Sequence, residues 1–360
     1  MANQERIVLS GLGLVTSVGH DTVSATAAIC AGITRFRPIA DFATRTGAKS
    51  TGARVYGLTD DRSGSDRLLA MAVPALQEAL YSAEASGDDL DLGRSRLLLC
   101  VQPKARPHFE DFEPQDLTDF LELAQAEALG ASVQMLQGGH AVGMFALQKA
   151  VTMLRETDAA SCVVGAVDSQ LDFPALAWLE EAGRLKTDDR AHGFIPGEAA
   201  AFLVLERESD ARRRKAPMLA EILPATLAQE DAHLSSALPL RGIGLAAAVK
   251  ESIAPLNGSI SGMICDLNGE YYRSKEWSLA MSRIFDGSKA LPQLWHPAEN
   301  IGDIGATSAV AFTALATRTI QDGCPLGSNV LIWTSSDEGL RGSVVIRSIS
   351  APGKTGNGNT

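Results

Sequence analysis

At 360 residues the chain is too long for one small core and suits two domains or one large duplicated domain. Hydrophobic residues make up 45% and charged residues 21%, an ordinary globular composition. A net charge of -11 excludes the basic face that nucleic acid requires, and no run approaches the roughly 18 to 20 apolar residues of a membrane span.

The polar start, Met1 to Arg6, runs directly into a strand and lacks the basic, apolar and cleavage segments of a signal peptide. Five cysteines (Cys30, Cys100, Cys162, Cys265, Cys324) are odd in number and include no C-x-x-C pair. They read as reduced, mostly core-packed thiols of a cytoplasmic protein, with no metal site, disulfide framework or cofactor implied.

Residues 6–13 form a buried strand ending in a glycine-rich turn, and 25–31 a small-residue helix. A helix over 66–83 precedes a strand over 96–101; a helix over 141–154 precedes a strand over 160–167 and a further helix over 174–182. The run 198–206 (EAAAFLVLE) is continuously apolar, as a strand buried on both faces must be. The charged stretch 207–217 reads as a linker between an N-terminal half, 1–206, and a C-terminal half, 218–350. The second half carries helices over 244–253, 275–284 and 307–320, and strands over 262–266, 328–333 and 343–348. The Gly- and Asn-rich end, 351–360, reads as a disordered tail. Alternating β and α in both halves argues for an α/β fold with helices layered on a mainly parallel sheet.

Three blocks carry a family resemblance. The opening run from Arg6 through Gly11-Leu12-Gly13 to Gly19, the strand and turn Cys162-Val163-Val164-Gly165-Ala166-Val167-Asp168-Ser169, and Gly193-Phe194-Ile195-Pro196-Gly197-Glu198 with its Leu203-Val204-Leu205-Glu206 strand resemble β-ketoacyl synthases of the thiolase superfamily. The resemblance implies a thiolase-like αβαβα fold of two similar halves, and a dimer in which a strand near the nucleophile pairs with its twin.

A ketosynthase needs a thiolate at a helix N-terminus and two histidines that polarise the extender carbonyl. The family's Cys-x-x-Gly falls on Met135-Leu136-Gln137-Gly138, which places Met135 at the cysteine. No residue from 132 to 143 is a cysteine, and Ser132 is the one hydroxyl there. The first histidine falls on Asn268; the second falls on Asn300, with Trp295 at the accompanying lysine. Losing a nucleophile or its base alone costs on the order of 10⁶ in turnover. The reading is therefore a pseudo-enzyme, with no catalytic residues expected.

Other residues could carry a different function. His140 reads as a base or, more simply, as a packed or capping histidine; His296 reads as a loop histidine near the vestigial site. Asp266, Asn268, Glu270, Glu276, Asn300 and Asp303 form a polar set whose carboxylates could hold a hard cation or act as an acid–base pair, against the simpler reading of helix caps and turn residues. Phe194 matches the family's gating phenylalanine.

The first functional reading is a non-catalytic binding protein, as homodimer or as heterodimer partner in the manner of chain-length factors, with an acyl carrier protein or a type VI secretion effector as possible partner. It predicts a pocket plugged by Met135 and Phe194. The second is an acyltransferase, hydrolase or decarboxylase with a repurposed site, which requires an open pocket with convergent polar groups. A true synthase would need Cys162 or Cys265 at a helix N-terminus.

Overall fold

Residues 5–40, 42–106, 114–256, 258–285, 291–323 and 325–349 are described by a computed structural model of the chain. The assigned tail, 351–360, lies outside them. The N-terminal half runs β1 (Ile7–Thr16), α1 (Thr22–Cys30), short β2 (Arg37–Pro38) and β3 (Thr51–Gly52), α2 (Gly64–Glu84) and β4 (Ser95–Val101). It continues through α3 (Pro114–Leu123), β5 (Val133–Gln137), α4 (Val142–Glu156), β6 (Ser161–Ser169), α5 (Phe173–Glu181) and β7 (Glu198–Arg207). After α6 (Glu208–Arg213) come β8 (Ala220–Ile222), β9 (Thr226–Gln229), α7 (Ile243–Ile253), β10 (Gly262–Cys265) and α8 (Tyr271–Ile284). The chain closes with β11 (Gln293–Trp295), α9 (Ala298–Ile301), α10 (Ser308–Gln321), β12 (Asn329–Ser335) and β13 (Leu340–Arg347).

The strand order β5-β4-β6-β7-β1 in one half repeats as β11-β10-β12-β13-β8 in the other, and β8 bridges the two by pairing with both β1 and β13. The directions repeat too. β4 is parallel to β5 and β6, as β10 is to β11 and β12, while β6–β7 and β12–β13 are antiparallel.

Side-chain alternation sorts each strand into two cores. In β4, Leu97, Leu99 and Val101 face the layer of α2 and α3, while Leu98 and Cys100 face inward to α4 and α10. In β12, Leu331 and Trp333 face α7 and α8, while Val330 and Ile332 face inward. Five layers result, αβαβα, with α4 and α10 sandwiched at the centre. Burial on nearly every side explains why α10 is built of small residues, with Thr313 and Thr317 bonding back to the carbonyls of Ala309 and Thr313.

The stretch 207–217 is no open linker. It carries α6, whose Ala211 packs with Val8 and Ala216. The charges that suggest solvation are helical pairs, Arg207–Asp210, Arg212–Glu208 and Arg213–Asp210.

The strand-to-helix turns at the C-terminal ends of β5, β6 and β10 and the β12–β13 loop gather at one place, where ligands bind in α/β sheets.

β1 lies so close to α2 that a Cβ on Gly13 would stand 1.8 Å from the Ala75 carbonyl oxygen. Because that neighbour is backbone, Gly13→Ala is expected to cost roughly 3 kcal/mol or more. Gly93→Ala, where the nearest added contact is an ordinary 3.5 Å, serves as control. Denaturant melts check this; equal midpoints for the two variants would contradict the packing.

Candidate functional site

Asp303, in the turn between α9 and α10, is the hub. Its carboxylate accepts from His140 Nε2 at 2.8 Å, Gln170 Nε2 at 2.6 Å, Asn268 Nδ2 at 2.6 Å and the Gly305 amide at 2.9 Å. Its backbone accepts from the Gly197 amide and donates to the Ile195 carbonyl, tying the Gly193–Glu198 block to the same point. Burial alone would raise this carboxyl, but the His140 and Arg273 charges and these donors hold it well below the usual carboxylate range.

Arg273, buried on the first turns of α8, donates through Nη1 to Asp266 at 2.8 Å and to the Ser335 carbonyl at 2.7 Å. Its Nη2 reaches Asp337 at 3.2 Å and lies 3.1 and 3.4 Å from the two ring nitrogens of His140. Near-equal distances to both nitrogens place the amino group over the ring face. Arg184, just after α5, forks onto Glu270 at 2.8 and 2.9 Å and onto Asp337 at 2.6 Å. Burial works against both guanidinium charges, yet the surrounding carboxylates keep their pKa values raised.

His140 stands at the head of α4, three residues before Gly143. A Cβ on Gly143 would come within 2.8 Å of Ala309, so this glycine is what lets α4 cross α10 closely. The amide of Gly139 donates to Glu338 Oε1 and that of Ala141 to Ser336 Oγ, both at 3.0 Å. The β12–β13 loop thus holds the amide of Ala141, the N-cap of α4, and that of Gly139 in the turn ahead of it.

That loop is anchored from behind. Fully buried Arg341 bonds Glu276 at 2.8 Å, the Ser336 carbonyl at 2.6 Å and the Tyr272 hydroxyl at 2.9 Å. Glu276, raised by burial and countered by Arg341, serves this anchor rather than the hub.

The structure therefore brings together His140, Asp266, Asn268, Glu270 and Asp303 from the expected set, and leaves Glu276, Met135, Asn300, Trp295, His296 and Phe194 out. Met135 lies within β5, packed toward the outer core, and not at a helix start. Asn300 donates to the Ile33 carbonyl, and with Trp295 and His296 it lines a separate cavity of about 240 Å³. His296 pairs there with Glu299 at 3.3 Å. Phe194 is buried among Phe42, Leu176 and Leu185 with the Arg184 guanidinium 5.3 Å from its ring, beneath the site rather than across its entrance.

Arg184, Arg273, Asp337 and Gln170 were missed by sequence reasoning. The signal lay in the carboxylates, because a buried set of four requires cations nearby. Arg273 escaped because α8 begins at Tyr271, ahead of the expected start at 275.

Facing the cluster is a cavity of about 780 Å³, lined by apolar Trp178 and Leu234 and by Gln137, His140, Asp337 and Glu338. Neither Met135 nor Phe194 lines it, so the expected plug does not exist. Ser132 donates to the Ser95 and Leu129 carbonyls, away from any helix head. Cys162 and Cys265 lie in strands; burial pushes the Cys162 and Cys100 thiols up to about 12 and raises Cys265 as well. Among the described residues no group of three or more His, Cys, Asp or Glu could hold a metal ion, and no helix is long and apolar enough to cross a membrane.

Asp303→Ala would strand four donors, His140 among them, in the interior, and is expected to cost about 3–5 kcal/mol. Asp303→Asn, which retains an acceptor, should cost less. Urea unfolding distinguishes them; a loss below about 1 kcal/mol for the alanine variant would remove Asp303 from the role of hub.

Residues 127–211 match the family model of the β-ketoacyl synthase N-terminal domain. The 3-oxoacyl-[acyl-carrier-protein] synthase 2 of Mycobacterium bovis is 28% identical over 184 residues, covering 46% of this chain and 43% of that protein. The oxytetracycline polyketide putative β-ketoacyl synthase 1 of Streptomyces rimosus is 26% identical over 262 residues, covering 60% and 61%. Both alignments span less than two thirds of those relatives. Among solved structures, a type II polyketide acyl-carrier protein–ketosynthase complex matches with a TM-score of 0.81 at 18% identity, covering 97% of this chain and 100% of that one. The ishigamide ketosynthase/chain length factor matches with 0.76 at 20%, covering 96% and 100%.

Proposed function

We propose that this ketosynthase-like protein of the thiolase superfamily acts by binding at its central cavity and not by carbon–carbon condensation. One observation carries the reading. The head of α4, where a ketosynthase holds its thiolate, presents His140, whose ring is engaged by Asp303 and Arg273. In this register His140-Ala141-Val142-Gly143 takes the place of Cys-x-x-Gly, and Asn268 and Asp303 take the places of the two histidines. The cysteine-equivalent position thus moves from Met135 to His140, and the second histidine from Asn300 to Asp303.

Condensation also needs unpaired backbone N–H groups aimed at the developing oxyanion. Here Glu338 and Ser336 already occupy those of Gly139 and Ala141.

A second reading has its own support. The cavity is open and its polar groups converge, which favours an acyltransferase or hydrolase that uses the His140–Asp303 pair as base. The binding reading is preferred because His140 and Asp303 are each already engaged by other groups of the cluster.

For partners, the reading rests on fold neighbours that include a ketosynthase with its acyl carrier protein and ketosynthase/chain length factor assemblies. β5 ends its sheet, is uncharged, and is only partly buried, so it suits pairing with a second chain of this fold. Sedimentation is expected to show a dimer that Gln134→Arg weakens, since like charges would face each other; a monomer would shift the partner to a different chain. Nothing among the described residues selects a secretion effector.

Catalysis is tested with iodoacetamide or cerulenin and with malonyl- and acetyl-carrier thioesters, reading mass, peptide maps, free thiol and CO₂. The expected result is no adduct on Cys100, Cys162 or Cys265, no thioester cleavage and no CO₂. His140→Cys should become the labelled position. Steady thioester cleavage by the native protein, or CO₂ release without a condensation product, would establish the second reading, and a condensation product would overturn both.

A further inference from the structure

The charged cluster is unbalanced, and it joins the two halves of the fold. Two guanidiniums, Arg184 and Arg273, stand against four carboxylates, Asp266, Glu270, Asp303 and Asp337. His140 is the imidazole at its centre, and a proton on it removes one of the two uncompensated negative charges. Every element packed around His140 contributes. Asp303 comes from the α9–α10 turn, Asp266, Glu270 and Arg273 from the β10–α8 segment, Arg184 from the turn after α5, and Asp337 and Glu338 from the β12–β13 loop.

We propose that His140 is the titrating element of a pH-sensitive latch that holds the β12–β13 loop against the head of α4 and so sets access to the cavity. With the proton on, the imidazolium balances Asp303, and Asp337 retains both arginines. With the proton off, two negative charges remain in a buried site. The group able to relieve them is Asp337, because its side chain keeps 31% exposure while those of Asp266 and Asp303 keep 4% and 2%. Asp337 moves with Ser336 and Glu338, the two residues that cap the Ala141 and Gly139 amides. Loss of the proton therefore loosens the loop, the caps and one wall of the cavity together.

The direction follows from the surroundings. Burial and Arg273 lower the His140 pKa, Asp303 and Asp266 raise it, and the raising influences prevail. Stability from the imidazolium is complete below the ordinary histidine value of about 6.5 and is lost as pH rises through the higher folded value. The latch is closed on the acid side and loosened on the alkaline side. It does not depend on what the cavity binds.

Hydrogen exchange of the full chain, read by mass spectrometry at about pH 6 and about pH 8.5 with times scaled for intrinsic exchange, tests this. Peptides spanning 335–339 and 139–141 should exchange several-fold faster at the higher pH. His140→Gln should remove the difference. Should that variant fail to fold, NMR of the native chain carries the same test: the His140 ring and the Gly139, Ala141 and Gly339 amides must share one midpoint. His233, which also lines the cavity, is separated by His233→Gln, which should leave the transition in place. Protection independent of pH, a dependence that survives His140→Gln, or a midpoint that follows His233 would each overturn the latch.

Discussion

A single buried carboxylate governs this architecture. Asp303 is formed by a turn of the C-terminal half, yet three of its four donor residues lie elsewhere: His140 and Gln170 in the N-terminal half, and Asn268 after β10. A carboxylate out of water is tolerated only when its lone pairs are filled and a cation stands close. Those requirements bring the C-terminal ends of β5, β6 and β10 to one point. The Asp303 backbone, bonded to Ile195 and Gly197, adds the strand-entry segment of β7. The duplicated sheets supply the frame, and the hub fixes how their ends meet.

Much of the frame was legible because it depends on burial. The run 198–206 had to be a strand covered on both faces, and it became β7, paired with β1 and β6. The glycines of the first strand were read as a closing turn, but β1 continues through them to Thr16, and the contacts of Gly13 with α2 show that they serve close packing instead. The charged stretch 207–217 misled for a local reason, since its alternating signs suit a solvated linker and a short paired helix equally well.

The site was less legible, and one misplaced glycine explains most of it. Gly138 and Gly139 sit in a turn, where glycine is expected, and in the register proposed above they drew the motif five residues too early. Gly143 is the residue that matters, but it lies within α4, where glycine is unfavourable by about 1 kcal/mol and is read past. Its reason for being there is tertiary: α10 crosses at a distance no Cβ would permit. Similarly, Asn300 and Asp303 are separated by only a turn of chain, yet four-residue α9 and the left-handed Gly302 send them to different cavities. Periodicity cannot resolve an element that short.

What the head of α4 can offer a ligand is then a question of hydrogen bonding. A helix head next to an open cavity is a ready anion site when its amides are free. Just ahead of α4 the amides of Gly139 and Ala141 are filled by side chains from the β12–β13 loop, and the cationic forks of Arg184 and Arg273 meet carboxylates of the same chain. Such a site has the density of polar groups that catalysis uses, with many of its donors and acceptors engaged within the chain. Preorganised groups lower a barrier only if they are free to meet charge as it develops. The cavity therefore offers a ligand shape, an aromatic wall at Trp178 and the outer face of Glu338, while the groups beneath it act chiefly on one another.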